Sequence, residues 1–287
     1  MSRDNTETKF SFKAFRNLKK GLGEFDAVVE CNELAIREFL KNLDTATEKE
    51  KFIQTLSEKH SIKVDSVNVN YFSARIRQFY ILSVLQQAEQ FFDEFKKEYK
   101  TYYEKWIEKE SGDTDFDNVL LNIFNTTTQG INEIGEEVYL AFEYYRLVRN
   151  RFAHSEEKDL KKLDSYWSKI TGFSDFYSQS FHCSGAPNKY VNVDFNDFLL
   201  ITNVVKHIGY TICEKCRPDN ALLAKKICEL ETTVNEKKIN PIKNVMRLKD
   251  NKDRFLNALE NLLNSTFGKI NRKDTVDIAE NVKRILA

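Results

Sequence analysis

The chain has 287 residues with 44 Lys and Arg against 44 Asp and Glu, so no overall field draws in a polyanion and any such contact has to rest on a local basic cluster. A hydrophobic content of 41%, with 22 Phe and 12 Tyr, builds a core and excludes a disordered chain, while 3 Pro and 9 Gly argue against a sandwich, a barrel or a Gly-rich nucleotide loop. Five Cys at no scaffold-like density, no charged-then-apolar leader and no run of about 18 apolar residues lead us to expect a reducing, cytoplasmic setting without a membrane span.

Residues 1–9 are polar, and the next stretch is read as irregular because Gly21 and Gly23 interrupt its apolar stripe. The pattern predicts a helix over 24–43, with Val28, Leu34, Ile36 and Leu40 among its apolar residues, and a second over 47–60 after a Thr cap. His60 then serves as a helix C-terminal residue favoured by the dipole. Phe72, Ile76, Phe79, Val84, Ala88, Phe91, Phe95, Tyr99, Tyr102 and Trp106 recur every three to five residues, which predicts one long helix over 67–109 whose aromatics are core. Turn formers follow, then a short helix over 115–125.

Ile131, Ile134, Val138, Ala141, Tyr145, Val148 and Phe152 alternate spacings of three and four, predicting a helix with Arg149 beside the seam. A helix over 156–170 buries Leu160, Leu163, Trp167 and Ile170. Residues 171–192 lack helical period and read as a long loop that could cover a site. Asp194 caps a helix over 195–216, ended by Pro218. His182, Cys183, His207, Cys213 and Cys216 could be imagined around zinc, but the single Cys-x-x-Cys falls on a helical period and favours ordinary packing, so no metal is expected. A helix over 220–236 runs into a basic stretch in which Lys243, Arg247 and Lys249 are the best candidates for an RNA backbone, the alternative being a solvated linker. Helices over 255–263 and 275–286 close the chain.

The chemistry concentrates in EYYRLVRNRFAHS, residues 143–155, where Arg149, Asn150 and His154 form R-N-x-x-x-H. Arg offers a fixed charge and a planar fork of donors for phosphate oxygens, and His exchanges a proton near neutral pH. Cleavage of RNA by its own 2′-hydroxyl needs those two services and in principle no metal. On an unbroken helix Arg149 and His154 lie roughly 140° apart, so either the helix unwinds between them or a second copy supplies the missing half. Ser155 before Glu156 and Glu157 reads as an N-cap, which favours a break at His154. Glu143 either orients Arg149 or pairs with Arg146 three residues on.

This run resembles the HEPN superfamily (higher eukaryotes and prokaryotes nucleotide-binding domains), whose nuclease members carry R-x(4 to 6)-H, often with Asn after the Arg. The resemblance implies an all-α helical bundle acting as a homodimer, with two motifs facing each other to cut RNA without metal or other cofactor. It implies Arg149, Asn150 and His154 as catalytic residues, with Glu143 as an upstream orienting acid. A toxin or anti-phage role follows, with tRNA or mRNA as substrate and an antitoxin or regulatory protein as partner. Members that bind without cutting supply the alternative, a noncatalytic RNA-, nucleotide- or protein-binding module. The expected organisation is an N-terminal helical extension over 1–60, a HEPN-like core over 61–218 and accessory helices over 219–287.

Overall fold

The computed structural model describes residues 9–64, 69–153, 158–234 and 237–287, and it is an all-α helical bundle with short two-residue and three-residue strands. In chain order the first elements are β1 (Lys9–Phe10), α1 (Lys13–Thr45), α2 (Lys49–His60), α3 (Val69–Tyr103), α4 (Asp115–Phe124), α5 (Thr127–Ile134), α6 (Glu136–Ala153) and α7 (Lys158–Ile170). They are followed by α8 (Ser174–Phe181), α9 (Phe195–Lys215), α10 (Asn220–Glu229), β2 (Thr232–Val234), β3 (Lys237–Ile239), α11 (Pro241–Met246), α12 (Lys252–Phe267), β4 (Gly268–Lys269) and α13 (Arg272–Ile285). Among the described residues no helix is long and apolar enough to cross a membrane.

Contacts divide the chain into two units. One takes Met1–Asn17, Phe91–Gly130 and Gly209–Ala287, and the other takes Leu18–Gln90 and Ile131–Ile208. In the first, β1 pairs antiparallel with β4, Lys9 opposite Lys269, so the start of the described chain is clipped to the α12–α13 hairpin. Phe12 is fully buried there with its ring edge-on to Phe95 at 5.1 Å and Tyr102 at 5.7 Å. α3 stops at Tyr103 rather than running to 109, because Glu104 takes a left-handed φ of 58° and turns the chain back. Trp106 then donates its Nε1–H to Asn118 on α4 at 2.9 Å. α4 opens with a reciprocal Thr114–Asp117 capping box.

Three further expectations are corrected in this unit. α1 begins at Lys13, not at 24, because its first free amides find a carboxylate far away in sequence: Lys13 N–H and Ala14 N–H donate to Glu98 at 2.9 and 2.8 Å. α10 ends at Glu229 instead of continuing to 236, and the β-branched Thr232–Val234 segment pairs with Lys237–Ile239 as an antiparallel hairpin. The closing helices are also longer than read, since Asn251 and Asn271 cap them upstream by accepting from Arg254 N and Asp274 N.

In the second unit α6 is buried almost all round, Val138 to Val148 offering few exposed atoms, which marks it as the central helix. The seam expected to run unbroken from Ile131 is split at Gly135, whose φ of 102° separates α5 from α6. α1 passes close to α3 at Gly21, where a Cβ would sit 2.5 Å from the Gln87 side chain, so the glycine permits contact rather than ending the helix. α2 starts at Lys49 after Glu48, which makes no side-chain cap bond, so the expected Thr cap is not used.

The expected 171–192 loop is helical over Ser174–Phe181 and makes 3-10 turns at Thr171–Phe173 and Tyr190–Asn192. Tyr177 and Phe181 on α8 are buried, and Tyr177 O–H donates to the Glu137 carbonyl at 2.7 Å, which gives this aperiodic stretch a core of its own. Asp194 does begin α9: its Oδ1 accepts from Asn196 N at 2.8 Å, and Asp197 Oδ2 accepts from Asp194 N at 2.9 Å.

Candidate functional site

The site is built outward from the central helix. Asp197, fully buried at the start of α9, accepts the Tyr145 hydroxyl at 2.8 Å and both the backbone and side-chain N–H of Asn188 at 2.9 and 2.8 Å. Burial pushes the Asp197 carboxyl up, although the bonds from Asp194, Asn188 and Tyr145 favour its charged form. Tyr144 O–H donates to the Asn188 carbonyl at 2.6 Å. Two consecutive tyrosines thereby fix the middle of α6 against the segment before α9, leaving its last turns to carry the motif.

Six residues before Arg149, Glu143 is almost fully buried and receives Arg146 through both carboxylate oxygens, Nε at 2.9 Å and Nη2 at 2.7 Å. Glu143 therefore makes the local i+3 pair that its spacing allowed. Arg149 is held by a residue that the sequence reading did not single out. Its Nη1 donates to Glu89 on α3, and its Nε donates to Asn150 Oδ1 at 3.3 Å. The Arg149 side chain is 23% exposed and Glu89 44%. Among the described residues Nη2 of Arg149 has no hydrogen-bond acceptor, which leaves one corner of the guanidinium fork available to an anion.

His154, with its expected Ser155 cap, lies outside the described residues; the described part of α6 closes at Ala153 and α7 opens at Lys158. In the same unit Arg75, Gln78, Phe79, Leu82 and Phe152 line a shallow pocket between α3 and α6. Phe79 is 56% exposed there, which corrects its assignment to the core. Arg75 donates to Gln78 Oε1 at 3.1 Å. Glu89 and Phe79 had no sequence signal of their own, since on α3 they share the spacing of ordinary helix-surface and helix-core residues.

Lys243 on α11 and Arg247 and Lys249 in the turn after it are exposed, and they belong to the first unit, whereas Arg149 and Asn150 belong to the second. Cys183, Cys213 and Cys216 are buried thiols outside any disulfide, and burial pushes Cys216 far up. His207 Nε2 lies 3.3 Å from the Ile134 carbonyl. Among the described residues no three His, Cys, Asp or Glu side chains converge as metal ligands.

Arg149 can offer its charge to an oxyanion near the end of α6, with Asn150 and Glu89 fixing the guanidinium on two of its nitrogens. No family model, curated protein or solved structure matches the chain.

Proposed function

We propose that the chain is a metal-independent endoribonuclease of HEPN type that cuts RNA by attack of the 2′-hydroxyl. The observation that carries this reading is the mutual placement of Arg149 and Asn150 in the last turns of a firmly anchored helix, joined by a hydrogen bond, five and four residues before His154. In this reading Arg149 steadies the phosphate through Nη2, His154 moves protons, and Asn150 keeps the guanidinium plane turned toward the scissile group. Glu143 contributes by holding Arg146 beside the site rather than by touching RNA.

The roughly 140° between positions 149 and 154 on a continuous helix leads to a composite site shared by two copies. The exposed Lys243, Arg247 and Lys249 add backbone contacts to a tRNA or mRNA substrate. A cytoplasmic toxin or anti-phage role, restrained by an antitoxin or regulatory protein, fits a nuclease of this kind.

The test is replacement of His154 by Ala. Loss of a positioned proton-transfer group lowers cleavage by about 10² to 10⁴, with helical content unchanged by circular dichroism. Wild type should yield 2′,3′-cyclic phosphate ends in the presence of a chelator; 5′-phosphate ends that need a divalent metal would remove the proposal.

The second reading is a noncatalytic module that binds RNA, nucleotide or a protein. Its supporting observation is the Glu89–Arg149 ion pair, which already engages the guanidinium that catalysis needs. It expects Arg149→Ala to weaken binding while no RNA is cut by any variant.

A further inference from the structure

The side of α3 that carries Glu89 also carries Arg75, Gln78, Phe79 and Leu82. At 100° per residue these positions fall within an arc of roughly 100°, and on α6 Phe152 follows Arg149 by three positions, as a neighbour on the same face. The pocket lined by Arg75, Gln78, Phe79, Leu82 and Phe152 and the Glu89–Arg149 ion pair therefore lie along one seam between α3 and α6, inside the second unit. From Leu82 to Glu89 is about 10.5 Å of helix, and from Arg149 to Phe152 about 4.5 Å. That span is comparable with a nucleotide measured from its phosphate to the far edge of its base.

The lining selects a flat group with a polar edge. On α3, Phe72 meets Phe39, Phe91 meets Phe92 and Phe95 meets Phe12, ring against ring. Among the described residues Phe79, 56% exposed, and Phe152 have no ring partner, so both can stack on something brought from outside. Gln78 is only 9% exposed, its Oε1 accepts Arg75 at 3.1 Å, and among the described residues its Nε2 has no acceptor. A nearly buried amide donor at the wall of a pocket calls for an acceptor from the occupant. The pocket holds about 200 Å³, less than the roughly 300 to 1,000 Å³ that encloses a drug-sized ligand. It admits one ring system and leaves the sugar and phosphate outside.

We propose that this pocket receives an unpaired base of a single-stranded RNA, the base of the nucleotide whose phosphate sits on Arg149. The base stacks on Phe79, a base carbonyl accepts from Gln78 Nε2, and the phosphate takes the Nη2 corner of Arg149. Arg75 at the wall adds positive charge, which favours a nucleotide over an uncharged aromatic. A base already paired and stacked in a duplex has neither its faces nor its edge to offer, so the pocket reads single strands. The proposal rests on Arg149 as a phosphate ligand and does not require cleavage.

The experiment is fluorescence anisotropy in the presence of a chelator with two labelled strands. One is a short 2′-O-methyl oligouridylate, whose bases are rich in carbonyls and which lacks the hydroxyl that cleavage needs; the other is the same strand built of abasic units. Wild type should bind the strand with bases about fivefold or more tightly than the bare backbone. Phe79→Ala, at an exposed position that leaves helical content intact, should bind the two strands alike, and Phe79→Trp should keep the preference. Arg149→Ala should weaken both strands by the same factor. No preference in wild type, or one that survives in Phe79→Ala, overturns the pocket, and the phosphate reading still stands if Arg149→Ala weakens both strands. Arg149→Ala binding as tightly as wild type removes the phosphate reading and the proposal with it.

Discussion

Glu33 shows how one side chain couples stability to acidity. It is buried on α1 with a 4% exposed side chain and accepts Arg77 Nη2 at 2.8 Å and Arg37 Nε at 2.9 Å. Burial alone pushes its carboxyl up, but the two guanidinium groups together outweigh burial and hold it below the usual range. A lowered value means that the folded state favours the ionised form. The stabilisation is present above the unfolded value of about 4.3 and is lost as pH falls through the lower folded value. Thermal melts from pH 7 down to pH 3 should therefore show wild type and Glu33→Gln far apart at neutral pH and converging in acid. A constant gap would mean that the carboxylate charge is not what matters. Glu33→Ala, which leaves the mostly buried Arg77 without its partner, should cost about 3 to 5 kcal/mol in urea denaturation.

At the motif the same scale of reasoning makes Glu89 informative. If Arg149 is a phosphate ligand, the Glu89 carboxylate competes with the phosphate for it, and Glu89→Gln should lower KM for RNA several-fold with little change in kcat. A fall in kcat with unchanged KM would instead make Glu89 the group that orients Arg149. Arg149 and Asn150 stood out in the sequence because their residue types carry phosphate chemistry. Glu89 could not, because a glutamate on a helix surface is ordinary until its partner from another helix is known.

Helix identity was readable from spacing, and several helix ends were not. The alternation of three and four from Val138 to Phe152 marks α6 directly, and the Asp194 cap marks the start of α9. The start of α1 was hidden because its free amides are satisfied by Glu98, 85 positions beyond Lys13. The aperiodic 171–192 stretch hid α8 because Tyr177 and Phe181 sit where no local repeat announces burial. Glycines carry the converse lesson, since composition treats them as interruptions while the packing uses them as close approaches. On α9 a Cβ at Gly209 would lie 2.3 Å from the buried Phe15 ring. Gly209→Ala should lose about 1 to 3 kcal/mol to overpacking, more than the helix propensity of Ala returns, about 1 kcal/mol. Gly23→Ala, with open space around its Cβ, should instead gain about 0.5 to 1 kcal/mol. The check is a denaturation midpoint that moves in opposite directions for the two variants at unchanged slope.

At the scale of the whole chain, neutrality of charge and scarcity of Pro and Gly foretold long helices, and they leave contact with an anion to local groups such as Arg149. What composition could not foretell is which distant segments share a core, because that is decided by pairings such as Phe12 with Phe95 and Arg217 with Asp274.

The clip between β1 and β4 bears on biosynthesis. Lys9 leaves the ribosome long before the strand it must pair with, which ends at Lys269, so at 5 to 20 residues per second it waits roughly 13 to 50 s for its partner. During that interval Phe10 and Phe12 have no β4 to lie beside, and they are natural targets for a holdase chaperone. A chain shortened to begin at Lys13 would be spared the wait and would also forfeit the clasp, so its last hairpin should open to protease first.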